Sequence, residues 1–373
     1  MIKGFKVRLN PTKEQEQKFI QFCGANRFIY NWVIKLQDEN YKNGNKFIEK
    51  YTVDSMLTIL KKQEEYSWLN DISSQTLKKS VSDCCDSYKK FFKGLSKYPK
   101  FKSKKKSKLS FFVRNDTAKQ NETSVGIERI GRIKIKRNSI PIGAKLYNVR
   151  CSFDGKYWML SFGIEVNENQ VDLNKDLSIG IDLGIKELAV LSNGKIYKNV
   201  NKSSEMKRLY KKLRRLQRKV SKKYEMNKDG NKFVKTKNII KLEKEIRLIH
   251  RRIANIRETY NHKLTSDIIK FKPYRVVIED LNVRGMTKNR HLSKAISRQG
   301  FFEIRRQLEY KCKFNGIEII IADRFYPSSK TCCECGCIKK DLKLSHRTYK
   351  CKECGNEIDR DLNASINLSN YKK

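Results

Sequence analysis

Six of the chain's eleven cysteines fall between residues 332 and 354. Cys332 and Cys335 form one Cys-x-x-Cys, Cys351 and Cys354 form a second, and fifteen residues separate the two pairs. A glycine follows each pair directly (Gly336, Gly355), which suits a tight knuckle that aims two sulfurs at one point. Two such knuckles supply the four-thiolate tetrahedron that structural zinc prefers. A filled tetrahedron leaves no open position for catalysis. Cys333 and Cys337 lie too close to Cys335 to make good knuckles with it, and His346 stands nearby as a substitute ligand.

A second set of residues is acidic. Asp182 ends the run Ile179-Gly180-Ile181, with Gly184 just beyond it. Glu279 ends Val276-Val277-Ile278, and Asp359 and Asp361 stand at the start of a last helical segment, Asp361 to Leu368. A carboxylate at the end of a buried strand is unfavourable unless it is paired or bound to a cation. Taken singly, each acid reads more readily as a cap or an ion-pair member. Taken together, acids from separate elements suit two magnesium ions about 4 Å apart, which activate a water and stabilise the leaving oxygen in phosphodiester cleavage. Asp359 and Asp361 stand roughly 200° apart on a helix, so one site takes only one of them.

The elements that must position these residues read as follows. Residues 2–9 alternate as a strand, and Thr12 with Gln15 forms a capping box that starts a helical stretch over 14–40, in one or two pieces. Phe19, Phe22, Phe28, Ile29, Trp32, Val33 and Leu36 are its core. Residues 52–93 read as two or three more helices. Residues 89–108 carry ten lysines and no acid, with Phe91, Phe92, Tyr98 and Phe101 between them. They are either a solvated linker or a nucleic-acid contact in which lysines neutralise phosphates and aromatics stack on bases or anchor the segment. Residues 110–168 are strand-rich, with Ile133 to Lys136 alternating and Asp154-Gly155 turning a hairpin between Val149–Phe153 and Lys156–Phe162.

After a linker at 171–176, a second domain opens at Leu177 with a strand and the hairpin Glu187–Leu191, Ser192–Gly194, Lys195–Tyr197. Residues 202–257 hold 21 Lys or Arg against five acids. Met206, Leu209, Leu213, Leu216 and Val220 recur at helical spacing, as do Leu242, Ile246, Ile249, Ile253 and Ile256. That is an antiparallel helical hairpin, joined by a loop over 221–238, with a basic outer face. A strand at Arg275–Asp280, a helix at Arg298–Phe314 and a strand at Ile317–Ala322 follow.

The 373 residues include 83 Lys and Arg against 40 Asp and Glu, a formal net charge of +43. A body this positive needs a polyanion, and nucleic acid is the first expectation. No apolar run approaches the ~18–20 residues of a spanning helix. The cysteine pattern does not fit a secreted disulfide scaffold, so a cytoplasmic, nucleoid-associated protein is expected.

Gly180-Ile181-Asp182-Leu183-Gly184-Ile185, Ile278-Glu279-Asp280-Leu281, the four-cysteine finger and Asp359-Arg360-Asp361-Leu362-Asn363-Ala364-Ser365 resemble the RuvC-type motifs of TnpB proteins. These are RNA-guided nucleases of insertion sequences, related to type V CRISPR effectors. Residues 5–15, Arg27 to Trp32 and Ser328 to Cys332 resemble that family too, so the likeness runs through essentially the whole chain.

The resemblance implies an α/β plus α+β protein of two lobes. Residues 1–10 and 109–170 would form a β-barrel wedge holding a helical recognition insert (11–108). Residues 175–373 would form an RNase-H-like RuvC nuclease domain, with a four-cysteine zinc finger inserted at 330–356. It makes Asp182, Glu279 and Asp361 the catalytic, magnesium-binding acids, since the family's acid directly precedes Leu-Asn-Ala, and leaves Asp359 a helix-start role. Cys332, Cys335, Cys351 and Cys354 would bind zinc. The partners it implies are a guide RNA from the transposon end and double-stranded target DNA, with no membrane; a monomer is preferred. Cleavage beside a short flanking motif would support transposon maintenance. A cleavage-inactive RNA-guided binder and a DNA transposase are the alternatives.

Overall fold

Phe5, Val7 and Leu9 point inward while the residues between them face out, so Ile2–Asn10 is a strand, β1. The Thr12 hydroxyl then accepts from the Gln15 N–H, and the Gln15 carboxamide accepts from the Thr12 N–H. This capping box starts α1, which runs unbroken over Lys13–Lys42. In this computed structural model residues 1–135, 143–167, 171–339, 341–342 and 346–372 are described. Lys136, the end of the alternating run expected at Ile133, lies outside them.

The chain divides into two units, Met1–Asn167 and Glu168–Lys373. In the first, α1 is followed by α2 (Lys50–Leu60), a 3-10 turn over Glu64–Asp71, and α3 (Ser74–Phe92). Five short strands follow: β2 (Ser110–Phe112), β3 (Ser124–Ile127), β4 (Gly131–Ile135), β5 (Leu146–Phe153) and β6 (Trp158–Glu165). They form one antiparallel sheet in the order β2-β5-β6-β1-β4-β3, with β1 paired to β6 from Ile2↔Glu165 to Leu9↔Trp158. The helices are thus an insertion between the central strand and an edge strand. Phe19, Phe111 and Trp158 fuse helix and sheet into one core, with the Phe19 ring 4.8 Å from Trp158 and 5.6 Å from Phe111. The β5–β6 turn is wider than expected. The Asp154 carboxylate accepts from the N–H groups of Lys156 and Tyr157, so β6 starts at Trp158 rather than Lys156.

In the second unit β7 (Asn174–Leu183), β8 (Glu187–Leu191) and β9 (Ile196–Lys198) form a meander. The strand begins at Asn174, inside the expected linker, because Asn174 pairs with Pro273. Next come α4 (Ser204–Met226), a small hairpin of β10 (Lys228–Asp229) and β11 (Lys232–Phe233), and α5 (Lys237–Lys270). Met206, Leu213 and Leu216 meet Ile249 and Ile253 in the expected seam. The helices encroach on the expected loop from both sides.

Then follow β12 (Pro273–Glu279), α6 (Val283–Met286), α7 (Arg290–Gln299), α8 (Phe301–Phe314) and β13 (Glu318–Ala322). The single helix expected from Arg298 is instead two, parted at Gly300, whose φ of 73° is left-handed and favours glycine. Strands β14 (Thr348–Lys350) and β15 (Glu357–Asp359) pair across the second cysteine knuckle, and α9 spans Arg360–Ser369. The main sheet has the order β13-β12-β7-β8-β9, with β13, β12 and β7 parallel. Among the described residues, no helix is long and apolar enough to cross a membrane.

Helix α9 lies on β7 at unusually short range. A Cβ at Gly180 would fall 2.0 Å from the Ser365 carbonyl oxygen and 2.4 Å from the Ser369 nitrogen. Backbone cannot yield as a side-chain tip does, so Gly180→Ala is expected to destabilise the unit by about 3 kcal/mol or more. Thermal unfolding should show a midpoint lowered by roughly 6–12 °C. Gly4→Ala, which meets no atom within 4 Å, should leave it nearly unchanged.

Candidate active site and cysteine centre

Alternation along a strand puts Ser178, Gly180 and Asp182 on one face of β7 and Ile179 and Ile181 on the other, in the core. The Ser178 hydroxyl donates to the Ser369 carbonyl at 2.7 Å, and Gly180 touches Ser365, so α9 runs antiparallel to β7. Two strand residues advance ~6.6 Å and four helix residues ~6 Å. The pairing 178/369, 180/365 therefore continues to 182/361, and brings the start of α9 to the end of β7. On β12, Val277 packs with Leu368, so Glu279 shares the α9 face. Because Val277 pairs with Gly180 and Ile278 with Ile181, Glu279 comes abreast of Asp182. Three acids distant in sequence thus meet at the C-terminal edge of parallel strands, where α/β sheets commonly bind ligands.

Electrostatics records the meeting. Burial, then the charges of Glu279 and Asp361, push the Asp182 carboxyl well above the usual carboxylate range, against the pull of Arg360. Burial also raises Glu279, opposed by a hydrogen bond from the Ser328 hydroxyl to its Oε1 at 2.5 Å. Asp361 is engaged by the Arg360 guanidinium at 3.1 Å and lies 4.0 Å from Arg347. Asp359 is the N-cap of α9, its carboxylate accepting from the N–H groups of Asp361 and Leu362. The acids thus share one field, which a cation would relieve, but they do not form a closed cage: among the described residues the group whose ligand atoms all lie within 4.8 Å of one another is the four cysteines below.

A cavity of about 240 Å³ opens beside Glu279, lined by Leu183, Arg284, Phe302, Arg305 and Arg324 among others. Asp280 ties Arg305 and Arg324 together there. Phe302 is 74% exposed.

The cysteine pairs converge more tightly. Cys332 and Cys354 sulfurs are 3.6 Å apart, as are those of Cys335 and Cys351, and the four lie within 4.8 Å of one another. A tetrahedron with ~2.3 Å zinc–sulfur bonds has edges of about 3.8 Å, so the set fits zinc. Gly336 (φ 75°) and Gly355 (φ 70°) turn the two knuckles. Burial disfavours the Cys332 thiolate, but the backbone N–H groups of Cys335 and Glu334 outweigh it and bring its pKa down to about 6. Cys333 is outside this set, its sulfur 3.6 Å from the Asn356 amide. Cys337 contributes its carbonyl, which accepts from Cys332 N–H and the Tyr349 hydroxyl. His346 is exposed and outside the set.

Two asparagines join the centres. Asn363 donates to the Thr331 carbonyl at 2.7 Å and accepts from the Cys333 N–H at 2.9 Å. Asn367 donates to the carbonyls of Ser328 and Thr331 at 2.8 and 2.6 Å. The first knuckle is thereby fastened to α9, and Ser328 to Glu279. The sequence reading missed Ser328, Asn363 and Asn367 in these roles. The available signal was two asparagines spaced i, i+4 in a helix, where a poor helix former needs a side-chain reason.

A third surface is basic. Helix α4 lines an open groove of about 970 Å³ with Lys207, Arg208, Lys211, Arg214, Arg215 and Arg218. Of the five acids in the hairpin, Glu205, Glu243 and Glu245 are already ion-paired to Arg252, Lys235 and Lys212. The face left to solvent is strongly cationic, as a phosphate-binding surface requires.

Three family models match the chain: "Helix-turn-helix domain" over residues 1–46, "Probable transposase" over 161–290 and "Cas12f1-like, TNB domain" over 301–368. The first match falls on β1 and the single long helix α1. A protein of Escherichia coli K12 named "Putative RNA-guided DNA endonuclease InsQ" is 31% identical over 98% of this chain and 91% of its own length. One of Streptomyces pristinaespiralis named "Putative RNA-guided DNA endonuclease" is 32% identical, over 98% and 88%. Among solved structures, a Cas12f1–sgRNA–target DNA complex aligns with a TM-score of 0.61 at 15% identity, covering 99% of this chain and 98% of that one. The chain thus shares the Cas12f fold.

Proposed function

Because the chain belongs to the TnpB family, we propose that it is an RNA-guided DNA endonuclease, hydrolysing phosphodiester bonds beside a short flanking motif. The observation that carries the proposal is the shared field of Asp182, Glu279 and Asp361 at the edge of a parallel sheet. In this reading residues 1–10 and 109–170 are a β-barrel wedge and 11–108 a recognition insert. Residues 175–373 are a RuvC-type nuclease domain of RNase-H-like architecture, and 330–356 its zinc finger.

Asp182, Glu279 and Asp361 would hold magnesium, and Cys332, Cys335, Cys351 and Cys354 zinc. Magnesium supplies, when bound, an activated water and neutralisation of charge at the phosphate. The chain's own residues do the rest. Ser328 occupies one oxygen of Glu279 and so fixes the carboxylate's orientation. Arg360 balances part of the acids' charge and holds Asp361 at the helix start. The cavity with Phe302, Arg305 and Arg324, about 240 Å³, has room for a single base next to the scissile bond. The α4 face grips backbone phosphates of guide RNA or of its heteroduplex with DNA, while base pairing reads the target sequence.

The test is plasmid cleavage by protein co-expressed with its native flanking DNA, on targets bordered by randomised sequence. Guide-dependent double-strand breaks beside one enriched motif are expected. Bound RNA and a footprint without breaks would leave a guided binder. Strand-transfer products formed without RNA would replace the proposal with a transposase.

A further inference from the structure

The aromatics among the lysines of residues 89–108 have two tasks. Tyr98 is an anchor: its hydroxyl donates to Asp38 at 2.5 Å, and its ring meets those of Phe91 and Tyr88 edge-on at 5.2 and 5.5 Å. The Lys102 backbone is held by both ends of the Asn31 carboxamide, at 2.7 and 2.9 Å. Phe92 meets the rings of Phe47, Phe91 and Tyr88 at 5.5, 5.6 and 6.2 Å yet is 60% exposed, and Tyr41 near the end of α1 is 79% exposed. A cavity of about 610 Å³ opens here, walled by Tyr41, Phe47, Tyr88, Phe91, Phe92 and Tyr98. Asn45 and Lys46 also line it.

We propose that this cavity receives one unpaired base of single-stranded RNA, stacked on Phe92 and Tyr41. Its volume lies within the ~300–1,000 Å³ typical of small-ligand sites. Aromatic walls offer every base a stacking face, whatever its sequence. The surroundings choose a polyanion over an apolar peptide. Lys42 and Lys46 flank Tyr41 and Phe47 in sequence, and Lys89, Lys90 and Lys93 flank Phe91 and Phe92. Of these, Lys89 is paired with Glu49 at 3.2 Å. RNA is favoured over DNA because its loops and bulges present unstacked bases outright, whereas a duplex must first be opened. The cavity lies wholly within Met1–Asn167, so the proposal stands or falls apart from the nuclease assignment.

Phe92 and Tyr41 are both largely exposed, so their alanine variants should fold. The probe is an unstructured 15-nucleotide RNA of mixed A and C, titrated against the full-length chain. A 20-base-pair DNA duplex and the matching DNA single strand are the comparisons. Phe92→Ala and Tyr41→Ala are each expected to weaken RNA binding roughly 5- to 100-fold, with Phe92→Trp restoring it. Duplex binding and the salt slope should stay unchanged, since no phosphate contact is removed. Unaltered RNA affinity in both variants overturns the proposal. So does an equal loss on the duplex, which signals general damage. A loss confined to the DNA single strand assigns the pocket to DNA and overturns it as well.

Discussion

Asp182→Asn is expected to abolish guided cleavage and, at the same time, to make the magnesium-free protein more stable. The first effect follows from the role proposed for Asp182 as a charged magnesium ligand. A ligand interaction worth several kcal/mol in the transition state, at ~1.4 kcal/mol per tenfold, gives a loss of roughly 10³- to 10⁵-fold. The second follows from the raised carboxyl of Asp182, whose charged form is opposed by burial and by Glu279 and Asp361. A carboxyl raised on folding favours the folded state below its unfolded pKa, near 3.9, and that advantage is lost as pH rises through the folded value. Asparagine does not ionise. The variant's advantage in thermal midpoint should therefore be small near pH 4 and grow toward pH 8, in buffer without divalent cations. Binding of RNA should be unaffected. Cleavage retained by the variant would remove Asp182 from the active site, and a pH-independent difference in melting would refute the repulsion argument.

Loss of the zinc proposed for the four cysteines should be nearly as severe, although no cysteine of the set is placed among the acids. Cys332 follows Thr331, whose carbonyl takes both asparagine amides of α9, and Cys333 donates to Asn363. Freed knuckles would release those bonds, loosening the helix that carries Asp361 and the segment whose Ser328 steadies Glu279. Structural zinc contributes about 10–16 kcal/mol to the folding of small finger peptides, so the local loss is large. Cys351→Ser is expected to cut cleavage at least 100-fold and speed amide exchange over residues 357–372. Phosphate binding by the α4 face should persist, because its Met206–Ile253 seam makes no use of the knuckles. Full cleavage by protein shown to be zinc-free would defeat this coupling.

What could be read beforehand was whatever a few neighbouring residues determine. The Thr12–Gln15 box, the α4–α5 seam and the cysteine spacing are local patterns with local causes. The break at Gly300 escaped because a glycine within a helical pattern shows its φ only when packing demands it. The early start of β7 escaped because its partner is Pro273, far along the chain. At the site, the acids were legible as strand and helix ends, but their order of approach was not. That depends on Gly180 admitting α9 to the sheet at backbone distance, a property of two elements nearly two hundred residues apart. The asparagine bonds are tertiary in the same sense: nothing beside Asn363 or Asn367 in sequence names Thr331 as the acceptor.

The seating of α9 on β7 also orders events during synthesis. Asp182 and Glu279 leave the ribosome well before Asp361, so on the proposed function a growing chain carries two of the three acids, and the basic α4 face, while the third acid is still unmade. On that proposal, nuclease competence arrives last. On the same proposal, a chain ended upstream of Arg360 lacks the third acid and is expected not to cut.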